Sequence, residues 1–187
     1  EELMKGSSQA HEDETAAVPA LLAAIADKTR KLFDIQEHVL NTDILPHLNE
    51  QGLIYKKPSK CTETQQAFLK AYFSQQVQPL LQPKLLSTGV QLADTVVNIQ
   101  LHAAFLLQHK QVRAKTDLAF LPIPQDIPRF VFLPDASLEK QGKISFVLID
   151  ELICFFSQEL FSDCAVCAHS IFKINRSANI VVDDFSD

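Results

Sequence analysis

Apolar positions at Val18, Leu21, Leu22, Ile25, Leu32, Ile35 and Val39 recur at helical spacing, with a gap near Lys28. They predict a helix opening at Thr15, with Pro19 in its first turn, and reaching at least Leu40. The polar residues before it, around Gly6-Ser7-Ser8, read as a linker. Asn41-Thr42-Asp43 fits either a turn or the polar side of a continuing helix. Pro46 opens a short helix through Glu50, and Gly52 ends it. Leu53-Ile54-Tyr55 reads as a strand. Thr62 and Gln65 stand at capping-box spacing before a second amphipathic helix carrying Phe68, Leu69, Tyr72, Phe73, Val77 and Leu80. Pro79 and Pro83 stop it.

Beyond this point the period changes. Val96–Leu107 alternates and reads as a strand, with His102-Ala103-Ala104 leaving a helix open, followed by a polar turn over 108–116. Asp117–Ile123 and Arg129–Leu133 predict two more strands. Prolines at 122, 124, 128 and 134 place those strand ends at sheet edges. Phe146–Leu160 has helical spacing, with Ser145 as its cap. Val166–Ile174 alternates as a fourth strand. The pattern is α+β: a helical arm, then a mixed α/β head with a small sheet and packed helices.

The 187 residues carry 47% apolar and 21% charged side chains and a formal net charge of −6. That balance speaks against a nucleic-acid partner, which calls for a basic excess. The basic residues fall in small groups, Lys28 to Lys31, Lys56 to Lys60 and Lys110 to Lys115, that read as solvated faces. Only four glycines occur, which argues against a loop-built phosphate cradle. No apolar run reaches the roughly 18 residues of a membrane span. Four cysteines suit a reduced, cytoplasmic chain better than a disulfide scaffold. Both ends read as cuts within a longer protein.

Cys164-Ala165-Val166-Cys167, with His169 nearby, offers at most half of a zinc site, and no second pair exists to complete it. A redox pair belongs at a helix N-terminus, and this one leads into a strand. Buried or half-buried thiols are the expectation, and no metal site is assigned. The six histidines are scattered, and none pairs with another ligand at helical spacing. Asp150-Glu151 interrupts an apolar run and is expected on a solvent face or beside an arginine. No catalytic or cofactor-binding residue is assigned.

Five short segments, in order, carry a resemblance. Ile44-Leu45-Pro46-His47-Leu48 with Gly52-Leu53 is similar to "LLPxLxxxGI". Ala71-Tyr72-Phe73 with Val77-Gln78-Pro79 is similar to "YFxxxVxPxL". Ile127-Pro128-Arg129-Phe130-Val131 is similar to "LPRFV". Leu152-Ile153 with Leu160-Phe161 resembles "LEDVIxxxLxxLFPG", and Phe172 to Ile180 resembles "FRVTRNADL". These are segments of the long bacterial polyphosphate kinases, whose parent enzyme moves the terminal phosphate of ATP onto polyphosphate with ATP and Mg as cofactors and a phosphorylated histidine. The resemblance implies that residues 1–55 end an N-terminal helical domain and that residues 56–187 are the head, or middle, domain. It implies a structural role in dimer assembly, with the catalytic domains, self-association, polyphosphate and ATP as partners of the parent. The full-length complex is cytoplasmic or membrane-associated on this reading, with no transmembrane segment here.

The chain departs from the pattern where Phe120 and Pro122 fill the basic positions of "FARVKVP", which removes positive charge. Arg129 and Arg176 remain as candidate phosphate or interdomain contacts; the competing reading pairs them with carboxylates inside the fold. An alternative to the kinase fragment is a non-enzymatic interaction module that kept the head fold. A third reading is a thiol- or zinc-based regulator on Cys164 and Cys167.

Overall fold

The computed structural model describes residues 2–86, 96–111 and 116–175, with side chains from Val18 onward. The chain forms two compact units, Glu1–Gly52 and Leu53–Asp187.

The first unit is helical throughout. Helix α1 spans Glu2–Val39, so the polar start is helix and not linker, and Pro19 lies within it rather than in its first turn. Glu, Met, Lys and Gln are good helix formers, and they outweigh Gly6 and two serines. The helix widens into one π turn, Leu40–Ile44, and continues as α2, Leu45–Glu50, with Pro46 in its first turn. Asn41-Thr42-Asp43 therefore sits on a continuing helix. The Asn41 amide and Thr42 hydroxyl donate back to the carbonyls of Glu37 and His38 (2.9 Å each). Gly52 closes the unit at φ 85°, a conformation that glycine adopts without steric cost.

The second unit opens with β1, Leu53–Tyr55. Helix α3, Glu63–Tyr72, starts at the expected capping box. Gln65 N–H donates to Thr62 Oγ1, and Thr62 N–H donates to Gln65 Oε1 (3.3 Å each). A π turn at Phe73–Val77 and a 3₁₀ turn at Gln78–Leu80 bring the chain to Pro83. The remaining elements are β2 Lys84–Leu85, β3 Leu101–His109, β4 Thr116–Pro122, β5 Phe130–Leu133, α4 Ala136–Glu139, β6 Ile144–Leu148, α5 Ile149–Phe155 and β7 Cys164–Lys173.

The strands form two sheets. One has the order β1-β6-β5, with β1 and β6 parallel and β5 and β6 antiparallel. The other has the order β2-β4-β3-β7 and is antiparallel. The α+β class follows, with a helical arm and a mixed head built on two small sheets rather than one. Between the sheets lies one core. Val131, Leu133 and Val147 come from the first sheet, Ala103, Phe105, Leu107 and Leu121 from the second, and Leu69, Phe73, Leu152 and Ile153 from the helices.

Three boundaries differ from the sequence reading. The segment 144–148 is strand, and Ser145 is a buried strand residue rather than a cap. As the central strand of its sheet, β6 is apolar on both faces and reads as an unbroken run, which periodicity cannot separate from a buried helix. Strand β3 starts at Leu101, because Asn98 and Ile99 form a turn in which Ile99 takes φ 65°. It also runs to His109, through the start of the expected polar turn. Pro122 ends β4, an internal strand rather than an edge. Its missing N–H costs nothing there, because β2 pairs only with Phe120 and Ala119 on that side.

Candidate functional site

Arg129 lies where the two sheets approach each other. Its carbonyl accepts from Ile149 N–H (2.9 Å), fixing the loop before β5 against the first turn of α5. The side chain borders a cleft of about 280 Å³, lined also by Ile99, Ile123, Ile127, Asp150 and Lys173. Asp150 is 8% exposed, and its Oδ1 has no hydrogen-bond partner. The solvent-facing role expected for Asp150 is thus corrected: its place in the first turn of α5 turns it inward at the junction of the sheets. Arg129 is exposed and makes no ion pair among the described residues. Arg176 lies outside the described residues.

Several other polar side chains inside the head are hydrogen-bonded, whereas the buried Ser145 hydroxyl has no partner. Tyr55 Oη donates to Glu151 Oε1 (2.5 Å), joining β1 to α5. Burial, then the hydrogen bond and charge of Glu151, push the tyrosine well above the ordinary phenol range. Gln65 donates to Asp135 Oδ2 (3.3 Å), and Lys56 stands 3.9 Å from the same oxygen. Asp135 also caps α4, accepting from the Ser137 hydroxyl (2.7 Å) and the N–H groups of Ser137 and Leu138 (3.2 Å each). These bonds, the Ser137 hydroxyl first, hold its carboxyl below the usual range. Buried His102 accepts from Val97 N–H at Nε2 (3.2 Å) and donates from Nδ1 to the Gln100 carbonyl (3.0 Å). Both ring nitrogens are thereby engaged in the turn before β3.

The thiols divide by environment. Burial, then the charges of Asp150 and Glu151, push Cys154 up to about 12. Burial also raises Cys61. Cys164 is half-buried, whereas Cys167 is exposed, contrary to expectation. Cys167 falls where β7 bulges: Leu106 faces Ala168 while Leu107 faces Val166, which leaves Cys167 without a partner position. Among the described residues no group of three or more His, Cys, Asp or Glu side chains could hold a metal ion. No helix among the described residues is long and apolar enough to cross a membrane.

The outer face of the β1-β6-β5 sheet was not foreseen as a surface. Leu53, Ile144, Phe130 and Phe132 stand 37%, 45%, 50% and 57% exposed on three adjacent strands. The register places Leu53 opposite Ile144 and Phe132 opposite Phe146, so these residues share one face. The signal was present in the sequence, since Phe130-Val131-Phe132-Leu133 has no polar position with which to face water.

The fold is thus that of an α+β head with a helical arm before it in sequence, and comparison with known proteins places it. A family model described as the polyphosphate kinase middle domain matches residues 64–187. Polyphosphate kinases of Halalkalibacterium halodurans and Bacillus anthracis are 25% and 28% identical over 87% of this chain. The chain spans only 22% and 23% of their respective lengths. The crystal structure of polyphosphate kinase from Porphyromonas gingivalis superposes with a TM-score of 0.74, at 23% identity, over 91% of this chain and 26% of that one. The chain belongs to the polyphosphate kinase family, and its residues 64–187 match that family's middle domain.

Proposed function

We propose that this chain is the assembly frame of an enzyme that transfers the terminal phosphate of ATP to polyphosphate, and that it does no chemistry by itself. Residues 1–55 are read as the end of the preceding helical domain and residues 56–187 as the head. ATP and Mg belong to the parent, which is read as cytoplasmic.

The observation that supports this reading is the apolar outer face formed by Leu53, Phe130, Phe132 and Ile144. A sheet containing a parallel pair is ordinarily covered on both faces, and an uncovered apolar patch marks an interface. The partner is a second copy of the chain or the catalytic domains of the same protein. Arg129, exposed and unpaired among the described residues, is a candidate contact to phosphate at that boundary.

Two measurements test the reading. Incubation of the chain with radiolabelled ATP is expected to leave no phosphohistidine on it; labelled histidine would overturn the structural role. Sedimentation is expected to show self-association, and Phe130→Ser with Phe132→Ser is expected to abolish it while leaving the circular dichroism spectrum unchanged. A monomer at all concentrations that also fails to bind the added catalytic domains would end the assembly reading.

A further inference from the structure

We propose that the open edge of β7 takes up an extended segment of another polypeptide as an added antiparallel strand, one with an apolar residue for the groove beside that edge and an acidic residue for Lys173. Strand β7 is a sheet edge, paired with β3 alone. Even-numbered residues of β3 turn their backbone toward β7. Lys110 N–H, just past the strand, donates to the Asp163 carbonyl on that side (3.2 Å), whereas the Leu101 carbonyl accepts from Ile123 N–H on the β4 side (2.9 Å). The partners of the even-numbered residues, Ala168, Ser170 and Phe172, therefore turn inward. His169, Ile171 and Lys173 present their N–H and C=O groups outward, and among the described residues nothing bonds to them. Upstream the edge is already closed. The Gln158 side chain accepts from Val166 N–H (3.1 Å) and donates to the Cys164 carbonyl (2.8 Å), as a neighbouring strand would.

The open stretch runs beside a groove. The side chains of His169 and Ile171 lie on the core face of the sheet, opposite buried Phe105 and Ala103. With Pro58 and with Cys154 and Phe155 of α5, they line a groove of about 280 Å³. An unpaired strand edge alongside a helix suits strand addition: main-chain bonds hold the incoming segment, and the groove takes its alternate side chains. Phe155, 41% exposed, offers that side chain an apolar wall. Charge selects the rest of the segment. Lys57 at the groove and Lys173 at the end of the edge are exposed, and neither makes an ion pair among the described residues. Glu151 also lines the groove, but Tyr55 holds its carboxylate. The residue directly opposite Lys173 on an added strand shares its face, and an Asp or Glu there is favourable. A second copy of β7 fits less well, since pairing about Ile171 sets Lys173 opposite His169 and not opposite an acid.

The test is titration of the 187-residue chain with the peptide acetyl-Glu-Thr-Val-Thr-Leu-amide, followed by calorimetry and amide exchange. Antiparallel pairing sets its Glu opposite Lys173, its Val opposite Ile171 and its Leu opposite His169. The amides of His169, Ile171 and Lys173 are expected to exchange more slowly with peptide bound, and that of Val166, already held by Gln158, to stay unchanged. N-methylation of the Glu, Val and Leu amides, which face β7, is expected to weaken binding by about tenfold or more. N-methylation of the two Thr amides, which face away, is expected to leave it unchanged. Lys173→Glu is expected to reverse the preference, so that the peptide with Lys in place of Glu binds better. The two methylated peptides are compared on the unaltered chain, so they decide the matter even where a variant fails to fold. Several results would overturn the proposal: no binding at millimolar peptide, equal binding of both methylated peptides, slowed exchange confined to other amides, or His169 and Ile171 amides already protected by self-association. Phe130→Ser with Phe132→Ser is expected to leave peptide binding intact, which separates this edge from the assembly face of the other sheet. Loss of binding in that variant would move the site to the other sheet and end the proposal.

Discussion

Tyr55 and Glu151, ninety-six positions apart in sequence, meet through a hydrogen bond of 2.5 Å. It ties the short edge strand β1 to helix α5, and it satisfies one carboxylate oxygen whose neighbour, Oε2, has no partner. Tyr55→Phe would leave both oxygens without one. A hydrogen bond to a charged, part-buried group is worth about 1–3 kcal/mol, and its loss is expected to lower the urea midpoint without changing the slope. Replacing Glu151 with Leu in the same chain is expected to restore part of the loss, since no carboxylate is then stranded. If Tyr55→Phe leaves the midpoint unchanged, this bond does not hold the strand.

The same tyrosine gives an alkaline signature. Its folded pKa is raised above the unfolded value, so its contribution is complete below about pH 10 and is lost as pH rises from there toward the folded value. Stability measured from pH 9 upward is expected to fall more steeply in the native chain than in Tyr55→Phe. Equal slopes would show that the phenol is not held as described.

Acid acts through Asp135, whose carboxyl is lowered by the Ser137 hydroxyl first and then by the Leu138 N–H. A depressed carboxylate contributes stability above its unfolded value of about 4, and that contribution is lost as pH falls through the folded value. Ser137→Ala is expected to make the acid limb shallower. A limb that stays unchanged would place acid sensitivity elsewhere.

Thiol labelling reads out the burial of the four cysteines. Cys167 is expected to react with iodoacetamide in the native chain, whereas Cys61 and Cys154 react only on unfolding. Mass mapping of native-labelled protein checks this, and early modification of Cys154 would contradict its placement.

The core is tested by two leucines. Leu152 is fully buried among both sheets, and Leu152→Ala is expected to cost about 2–5 kcal/mol. Leu85 is 58% exposed on a two-residue strand, and Leu85→Ala is expected to cost no more than about 0.5 kcal/mol. Equal costs in thermal or urea unfolding would mean that the core is misplaced.

Local rules carried part of this structure. The Thr62–Gln65 capping box, the Gly52 stop, the Pro79 and Pro83 breaks and strand β1 were legible because each depends on a few adjacent residues. So was the family, through the order of five short segments. The strand at 144–148 was not legible, because a central strand covered on both faces loses its alternation. Nor was the turn at Ile99, which breaks an apolar run with a conformation that its side chain disfavours. Arg129 was picked out from its motif, but nothing local says that Asp150 and Lys173 border the same cleft.

By itself, then, the sequence determined the helical arm, the α+β class and the kinship with polyphosphate kinases, because these are written in spacing and short motifs. Tertiary structure alone decided that there are two sheets, that Glu151 serves Tyr55, and that Asp150 turns inward near Arg129. Those relationships join residues from distant parts of the chain, and only the closing of a shared core fixes which of them meet.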